Sequence, residues 1–493
     1  MVSPVREVNK VVVAATGRSP FHPKNGQLSR FNIVSTCGQV LRETLNRGGL
    51  LNDDLHNNLR QVIIGNANGC GTTGTNGAER ALIEALGPNA EGMYARKVDS
   101  SCGSSADATY LGQALIESGR EKYVLTGGME ASVDGQGPAG SDLMYQALSP
   151  KAYFANIFHT VFTTMKYGNP ERVQQELLKR VLPPDFNFPS MNASGDYIAR
   201  LMGYDREILE RYAATSFARA IDAVSRGFFK NNTVPIDMGE YGYVSQDQIR
   251  EATSIWAQTQ LKPTIRDGFH HAGDSSQFGV GASAVLLANE EVAIADGHIP
   301  LSRIIGYGHT SVGLGPGQLL GPLKAIPLAL VDAGLLDIKD INNKEKVREA
   351  CRQIDLWEVN EAYAAEALVV KDEFDIPFDR LNVNGGAIAL THPFAATGTR
   401  LIGDVIHEMN RRAAICEITG EKKPRYALVT MCVAQGLSIA IVLERYESKK
   451  IEIKSFRASA ELPKDMFLPK VPNPFADQPV RITPQIVTEH ASA

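Results

Sequence analysis

Two cysteines, a histidine and an asparagine stand in segments whose residue types suit thiol chemistry. Cys102 lies within Val98-Asp99-Ser100-Ser101-Cys102-Gly103-Ser104-Ser105-Ala106, between a strand-like segment and a helix rich in small residues. At a helix N-terminus the free N–H groups and the dipole favour thiolate over thiol, and small neighbours let a substrate approach. The segment alone reads equally well as holding a buried structural cysteine. His392 is more specific. It follows Asn382-Val383-Asn384-Gly385-Gly386-Ala387-Ile388-Ala389-Leu390-Thr391 and precedes Pro393-Phe394-Ala395-Ala396-Thr397-Gly398. Paired glycines let the backbone turn tightly, Pro393 fixes the residue after the histidine, and small residues then open a helix. An imidazole presented on so rigid a loop can take a thiol proton. A lone histidine is ordinarily structural; in this setting it reads as functional.

Met431-Cys432-Val433-Ala434-Gln435-Gly436 supplies a second cysteine where a strand runs into a turn. Glu358-Val359-Asn360-Glu361-Ala362-Tyr363-Ala364 places an amide at a strand end before a helix. An asparagine there can orient a water or donate to an oxyanion without titrating, which suits enolate stabilisation. Two other stretches carry no such signal. Gly313-Leu314-Gly315-Pro316-Gly317 has neither dinucleotide-binding nor P-loop spacing. His270-His271 lacks a convergent cysteine or carboxylate pattern, makes a poor metal site, and reads as solvated loop.

The elements that must position these groups alternate between strand and helix. Val11-Val12-Val13-Ala14-Ala15 reads as a buried strand, residues 35–48 as a helix, and Gln61-Val62-Ile63-Ile64-Gly65 as the next strand. Residues 105–118 then read as a helix and Tyr123-Val124-Leu125-Thr126 as a strand. The alternation argues for an α/β layered domain with a largely parallel sheet. It breaks over residues 136–270, where Phe154, Ile157, Phe158, Val161, Phe162 and Met165 fall on one face of an amphipathic helix. That face suits packing on its own domain; a partner or a peripheral membrane surface is the alternative. Alternation resumes at Ala284-Val285-Leu286-Leu287-Ala288 and continues through residues 303–306, a helix over 322–333, and strands at 356–359, 426–430 and 436–445. The second stretch repeats the character of the first, which suggests internal duplication. Prolines and charges dominate from residue 446 onward, giving an extended tail.

The 493 residues, 43% hydrophobic and 21% charged, exclude a disordered or fibrous chain and suggest about three structural units. Fifty basic against 55 acidic side chains give a net charge of -5 and no global pull toward nucleic acid. A local excess of 11 Lys/Arg over 8 Asp/Glu across residues 151–230 is a faint hint of an anion-facing region. No apolar run reaches the ~18 residues that would span a bilayer, and the first residues do not read as a secretory signal. Six scattered cysteines without a C-x-x-C pair argue for reduced thiols in a cytoplasmic setting rather than a disulfide framework or zinc site.

Taken in order, four segments resemble those of the thiolases: the cysteine at a helix start, Asn360-Glu361-Ala362-Tyr363-Ala364, the Asn382–Pro393 loop, and Cys432 four residues before Gly436 and a final strand. Gly127-Gly128-Met129-Glu130, Gly227-Phe228-Phe229, Leu261-Lys262-Pro263 and Gly321-Pro322 are lesser matches. The resemblance covers roughly residues 8–445; His392-Pro393-Phe394-Ala395-Ala396-Thr397-Gly398 and the insertion over 141–190 are most similar to the thiolase subunits of the fatty-acid oxidation trifunctional complex.

The resemblance implies an α/β thiolase fold, two similar halves in a five-layered αβαβα arrangement. The expected units are 1–140 and 267–299 (N-terminal half), 141–266 (covering loop domain), 300–446 (C-terminal half) and 447–493 (tail). It implies acyl transfer between a 3-ketoacyl-CoA and CoA, with CoA as substrate and no bound cofactor or metal. Cys102 would be the nucleophile and His392 its activator. Cys432 would be the general acid/base, and Asn360 would act through a water. The N–H groups of Cys102 and Ala434 would form the oxyanion hole, and Ser276 would lie beside the pantetheine arm. A homodimer or homotetramer is implied, with a hydratase/dehydrogenase subunit as a further partner of trifunctional-type members.

Three positions depart from the family pattern. Thr391 stands where glycine usually precedes His-Pro, Ala434-Gln435 replace Gly-Gly, and Ser105 replaces a glycine. If position 435 requires φ > 0, glutamine would strain the oxyanion hole. Two other classes compete. A ketoacyl synthase-like condensing enzyme would not need Cys432 or an Asn-Glu-Ala-Tyr segment. A non-catalytic acyl-CoA-binding protein is suggested by Thr391 and Gln435.

Overall fold

The computed structural model describes residues 9–52, 54–68, 73–74, 76–131, 190–249 and 255–447. The Phe154–Met165 helix, Cys70 and most of the Pro-rich tail lie outside them. With helices of six residues or fewer and two-residue strands left unlabelled, the strands are β1 (Val11–Arg18), β2 (Leu59–Gly65), β3 (Tyr94–Val98), β4 (Tyr123–Glu130), β5 (Gly279–Asn289), β6 (Ser302–Ser311), β7 (Leu356–Val359), β8 (Tyr426–Val433) and β9 (Leu437–Arg445). The helices are α1 (Ile33–Arg47), α2 (Gly77–Leu86), α3 (Ser104–Glu117), α4 (Met191–Met202), α5 (Arg206–Ser225), α6 (Pro322–Asp332), α7 (Lys344–Cys351), α8 (Ala364–Glu373) and α9 (Thr397–Thr419).

The strands run in the order β7-β8-β9-β6-β1-β5-β4-β2-β3. Within it β1-β5-β4-β2 and β6-β9-β8-β7 are wound alike. In each, the first strand pairs antiparallel with the last, the last antiparallel with the one before it, and that one parallel with the second. The halves join where β1 pairs with β6 over three residues. This is the duplication that the sequence only suggested. The expected largely parallel sheet is corrected: only β2 with β3, β2 with β4, and β7 with β8 run parallel. The cause is local for β9, because it follows β8 after the three-residue turn Ala434–Gly436, too short for a crossover.

Strand periodicity builds the layers. Val11 and Val13 face one cluster and Val12 and Ala14 another, as alternate side chains must. The central cluster packs α3 (Ala106, Ile116) and α9 (Leu401, Val405, Met409) between the two half-sheets. Outside it, α1 and α2 cover the N-terminal half-sheet, and α6, α7 and α8 cover the C-terminal one. The result is the five-layered αβαβα arrangement. The insertion straddles both halves: α4 and α5 pack on the C-terminal side, while Val234, Ile236 and Val244 join the N-terminal core. Among the described residues no helix is long and apolar enough to cross a membrane.

His270 and His271 are not solvated. Both are buried: His270 Nδ1 lies 3.1 Å from Asp196 Oδ1, and His271 Nε2 lies 3.2 Å from Glu210 Oε1. The acidic partners come from α4 and α5, more than 60 residues earlier, so the dipeptide gave no sign of them.

Candidate active site

Cys102 sits in a 3-10 turn, Ser101–Gly103, at the entrance to α3. The turn is fixed by its own polar side chains. Ser101 N–H donates to Asp99 Oδ1 at 3.0 Å, Ser100 N–H donates to Ser104 Oγ at 3.0 Å, and Ser104 Oγ donates to the Ser101 carbonyl at 2.6 Å. The N-terminus of α9 approaches from the other half, where Thr399 N–H donates to Ser105 Oγ at 3.0 Å. Ser105, off-pattern in the sequence, thus ties the Cys102 helix to the His392 loop.

That loop is held on both sides. His392 N–H donates to the Gln277 carbonyl at 2.8 Å. Glu130, at the end of β4, accepts from the N–H groups of Ala67, Asn68 and Ala395. His392 Nδ1 lies 2.6 Å from Thr397 Oγ1, whose own proton goes to the Pro393 carbonyl at 2.9 Å. A hydroxyl has one proton to give, so the proton between Nδ1 and Oγ1 belongs to the imidazole. Nε2 is left with its lone pair, facing Asn360 Nδ2 at 3.4 Å. Asn360 itself is held by its N–H to the Thr430 carbonyl at 2.9 Å, and its Oδ1 is buried without a partner.

Cys432, near the end of β8, is fully buried, and Cys102 lies close enough to act on it electrostatically. The Cys102 sulfur lies within hydrogen-bonding reach of the Ala434 N–H and of its own N–H. Ser276 is half-buried, with its N–H on the Ala362 carbonyl at 2.9 Å, one residue from the segment that holds His392. The structure therefore brings Cys102, Cys432 and Ala434 together and sets Asn360 against His392, the two groups being joined through their neighbours Ser105 and Thr399, and it leaves Ser276 at their margin.

The electrostatics differ from the sequence expectation. Burial pushes the Cys102 thiol up to about 12, against the smaller opposing effect of the Ala434 N–H. Burial, with Arg400 adding to it, pushes His392 down to about 3. Burial also holds the Cys432 thiol well above its ordinary value, and the Glu366 carboxyl reinforces it. A helix end does not make a standing thiolate here, because desolvation outweighs it. The resting pair is neutral thiol and neutral imidazole.

Thr391 and Gln435 both adopt positive φ, 70° and 73°. The glycine pattern they depart from is thus a conformational requirement that these two residues meet under strain. The Gly313–Gly317 loop packs under the same turn: Val312 N–H donates to the Gly436 carbonyl at 2.8 Å. Glu366, Thr397 and Tyr363 belong to the site and were not singled out in the sequence. Glu366 carried one signal, a carboxylate inside the apolar run Ala364-Ala365-Glu366-Ala367-Leu368-Val369-Val370.

A desolvated thiol under two backbone donors, with a second thiol beside it and an unprotonated imidazole on the adjoining loop, is the equipment of the thiol-dependent acyltransferases as a class. The comparisons narrow it. The N-terminal domain model of thiolase matches residues 11–291 and the C-terminal domain model residues 299–445. An acetyl-CoA acetyltransferase of Pseudomonas aeruginosa is 31% identical over 88% of this chain and 99% of its own. The 3-oxoadipyl-CoA/3-oxo-5,6-dehydrosuberyl-CoA thiolase of Escherichia coli is 31% identical over 87% and 97%. Among solved structures, the Bacillus anthracis acetyl-CoA acetyltransferase is similar at TM-score 0.69 and 25% identity, covering 89% of this chain and 100% of its own. A human mitochondrial 3-ketoacyl-CoA thiolase in complex with CoA is similar at TM-score 0.68 and 25% identity, covering 90% and 99%. The chain belongs to the thiolase family.

Proposed function

We propose that this chain cleaves a 3-ketoacyl-CoA with CoA to acetyl-CoA and a shortened acyl-CoA, or runs the reverse condensation, through an acyl-Cys102 intermediate. The observation that carries the reading is the Cys102 sulfur beneath the N–H groups of Cys102 and Ala434, with Cys432 beside it. Because thiol and imidazole rest neutral, no ion is buried before substrate arrives. As sulfur attacks the keto carbon, its proton passes to His392 Nε2, the atom that the Thr397 contact leaves free. The N–H groups of Cys102 and Ala434 hold the attacked keto oxygen, while protonated Nε2 and Asn360, through a water, hold the CoA thioester oxygen as it takes on enolate charge.

The bond between the two carbonyl carbons breaks and the electron pair stays on the departing acetyl-CoA. Cys432 protonates that carbanion and afterwards takes the proton of the incoming CoA thiol. CoA sulfur attacks the acyl carbon, the bond from that carbon to Cys102 sulfur breaks, and His392 Nε2 returns its proton to the departing sulfur. The same two N–H groups stabilise the oxyanion formed on the way, each such donor being worth roughly 10²–10³ in rate. Every proton in this scheme moves between named side chains and substrate, with CoA itself as the second substrate.

Acetoacetyl-CoA and a long-chain 3-ketoacyl-CoA, assayed with wild type and Cys102→Ala, test the reading. Turnover by wild type should exceed the variant by at least about 10³-fold on one of the two chain lengths. Equal rates on both would sink the enzyme reading, and tight binding without turnover would favour the non-catalytic one.

A further inference from the structure

Behind Cys432 lies a carboxyl that the mechanism above leaves unused. Glu366 on α8 is fully buried. Its Oε1 accepts from the Cys432 N–H at 2.9 Å, the Cys432 sulfur lies within hydrogen-bonding reach of the same carboxyl, and Oε2 is buried without a partner. The groups acting on it are Cys432 from β8 and, from the segment leading into α8, the Ala362 N–H and Glu361, and it in turn acts on Cys102 and Tyr363. The surrounding elements direct their charges elsewhere. Asp196 of α4 and Glu210 of α5 engage His270 and His271, Glu358 of β7 faces Arg400 of α9, and Lys324 and Asp332 of α6 are exposed. Burial raises the Glu366 carboxyl to about 8, so it carries its proton at neutral pH.

We propose that Glu366 is the positioning residue of the second cysteine: protonated, it lends a hydrogen bond to the Cys432 sulfur, and ionised, it shuts off the acid/base step that this sulfur performs. The inference deepens the acyl-transfer reading and rests on it. In the forward step the Cys432 S–H bond breaks and a C–H bond forms on acetyl-CoA, leaving the electron pair on sulfur. The Glu366 O–H then donates to that thiolate without transferring its proton. When the CoA S–H bond breaks, its proton returns to the Cys432 sulfur and Glu366 ends as it began. A carboxylate in the same place would face the thiolate as a second negative charge in a dry interior, where like charges repel strongly.

Glu366→Gln provides the test, since the amide keeps an oxygen for the Cys432 N–H and has no proton to lose. Thiolysis of acetoacetyl-CoA is followed from pH 6.5 to 9.5 in both proteins, and the ratio of the two rates cancels the titration of CoA. The ratio of variant to wild-type kcat should rise roughly tenfold between pH 7 and 9, with KM for CoA little changed. Exchange of the acetyl-CoA C2 hydrogens into D2O, which reads the Cys432 step alone, should show the same divergence. Parallel pH profiles would overturn the proposal while leaving thiolysis intact. A folded variant dead at every pH would also overturn it, because the carboxyl would then have to give up its proton. Inactivity of wild type at every pH would instead remove the reading on which both stand.

Discussion

Thr391 and Gln435 carry strain into this site. Gln435, at φ 73° and ψ 20°, occupies the left-handed helical region, where a side chain adds about 1–2 kcal/mol. Thr391 is worse placed, at φ 70° and ψ 169°, a region that is essentially glycine's, and its Oγ1 is buried without a partner. Glycine relieves both burdens but loosens the unfolded chain by about 0.4–1 kcal/mol. Thr391→Gly should therefore stabilise by about 2 kcal/mol and Gln435→Gly by under about 1 kcal/mol in urea unfolding. A Thr391→Gly protein that unfolds earlier than wild type would show that the threonine is packed rather than strained. The residues proposed to react were legible in the sequence as candidates because each sits in its own short motif. Glu366 was not, because its meaning depends on Cys432, 66 residues later, and only sheet packing brings the two together.

At the scale of elements, the site exists because α3 and α9 meet end to end between the half-sheets, and that meeting leaves no spare volume. A Cβ on Gly128 would lie 1.9 Å from the Ala395 carbonyl oxygen, a backbone atom that cannot swing aside. Gly128→Ala should destabilise by about 3 kcal/mol and lower kcat by displacing the His392 loop. Gly315→Ala, with open space around it, should change stability by no more than about 0.5 kcal/mol. Equal effects in thermal unfolding would mean that the two halves are not wedged together here. Alternating strand and helix patterns announced layered α/β architecture correctly, since hydrophobic period reports burial. They misjudged strand direction because direction depends on connections, and β5 returns to the sheet only after the long insertion. The misreading of His270-His271 has the same origin: periodicity says nothing about partners supplied by another helix.

The duplicated halves leave ionisable groups in the middle of the molecule, and their shifts oppose one another. Burial pushes His392 to about 3 and His407 to about 4, both from 6.5. Burial pushes Glu130 to about 7 and Glu366 to about 8, both from 4.5. A depressed histidine contributes stability above its unfolded value and loses it as pH falls, because only the unfolded chain takes up the proton. A raised carboxyl contributes below its unfolded value and loses it as pH rises, because only the unfolded chain gives the proton up. Between about pH 4.5 and 6.5 the folded and unfolded chains bind equal numbers of protons on these four groups, so their joint contribution is flat. Above 6.5 the two carboxyls cost up to about 1.4 kcal/mol each per pH unit until they ionise, and below 4.5 the two histidines do the same. The acidic side falls further because Asp247 and Glu408, held low mainly by arginine partners despite burial, must also be protonated. The ligand-free protein should thus melt highest between about pH 4.5 and 6.5 and lose ground by pH 8, as followed by scanning fluorimetry at fixed salt. A maximum near pH 8 would mean that Glu130 and Glu366 ionise freely in the folded chain, and the neutral interior argued for this site would be wrong.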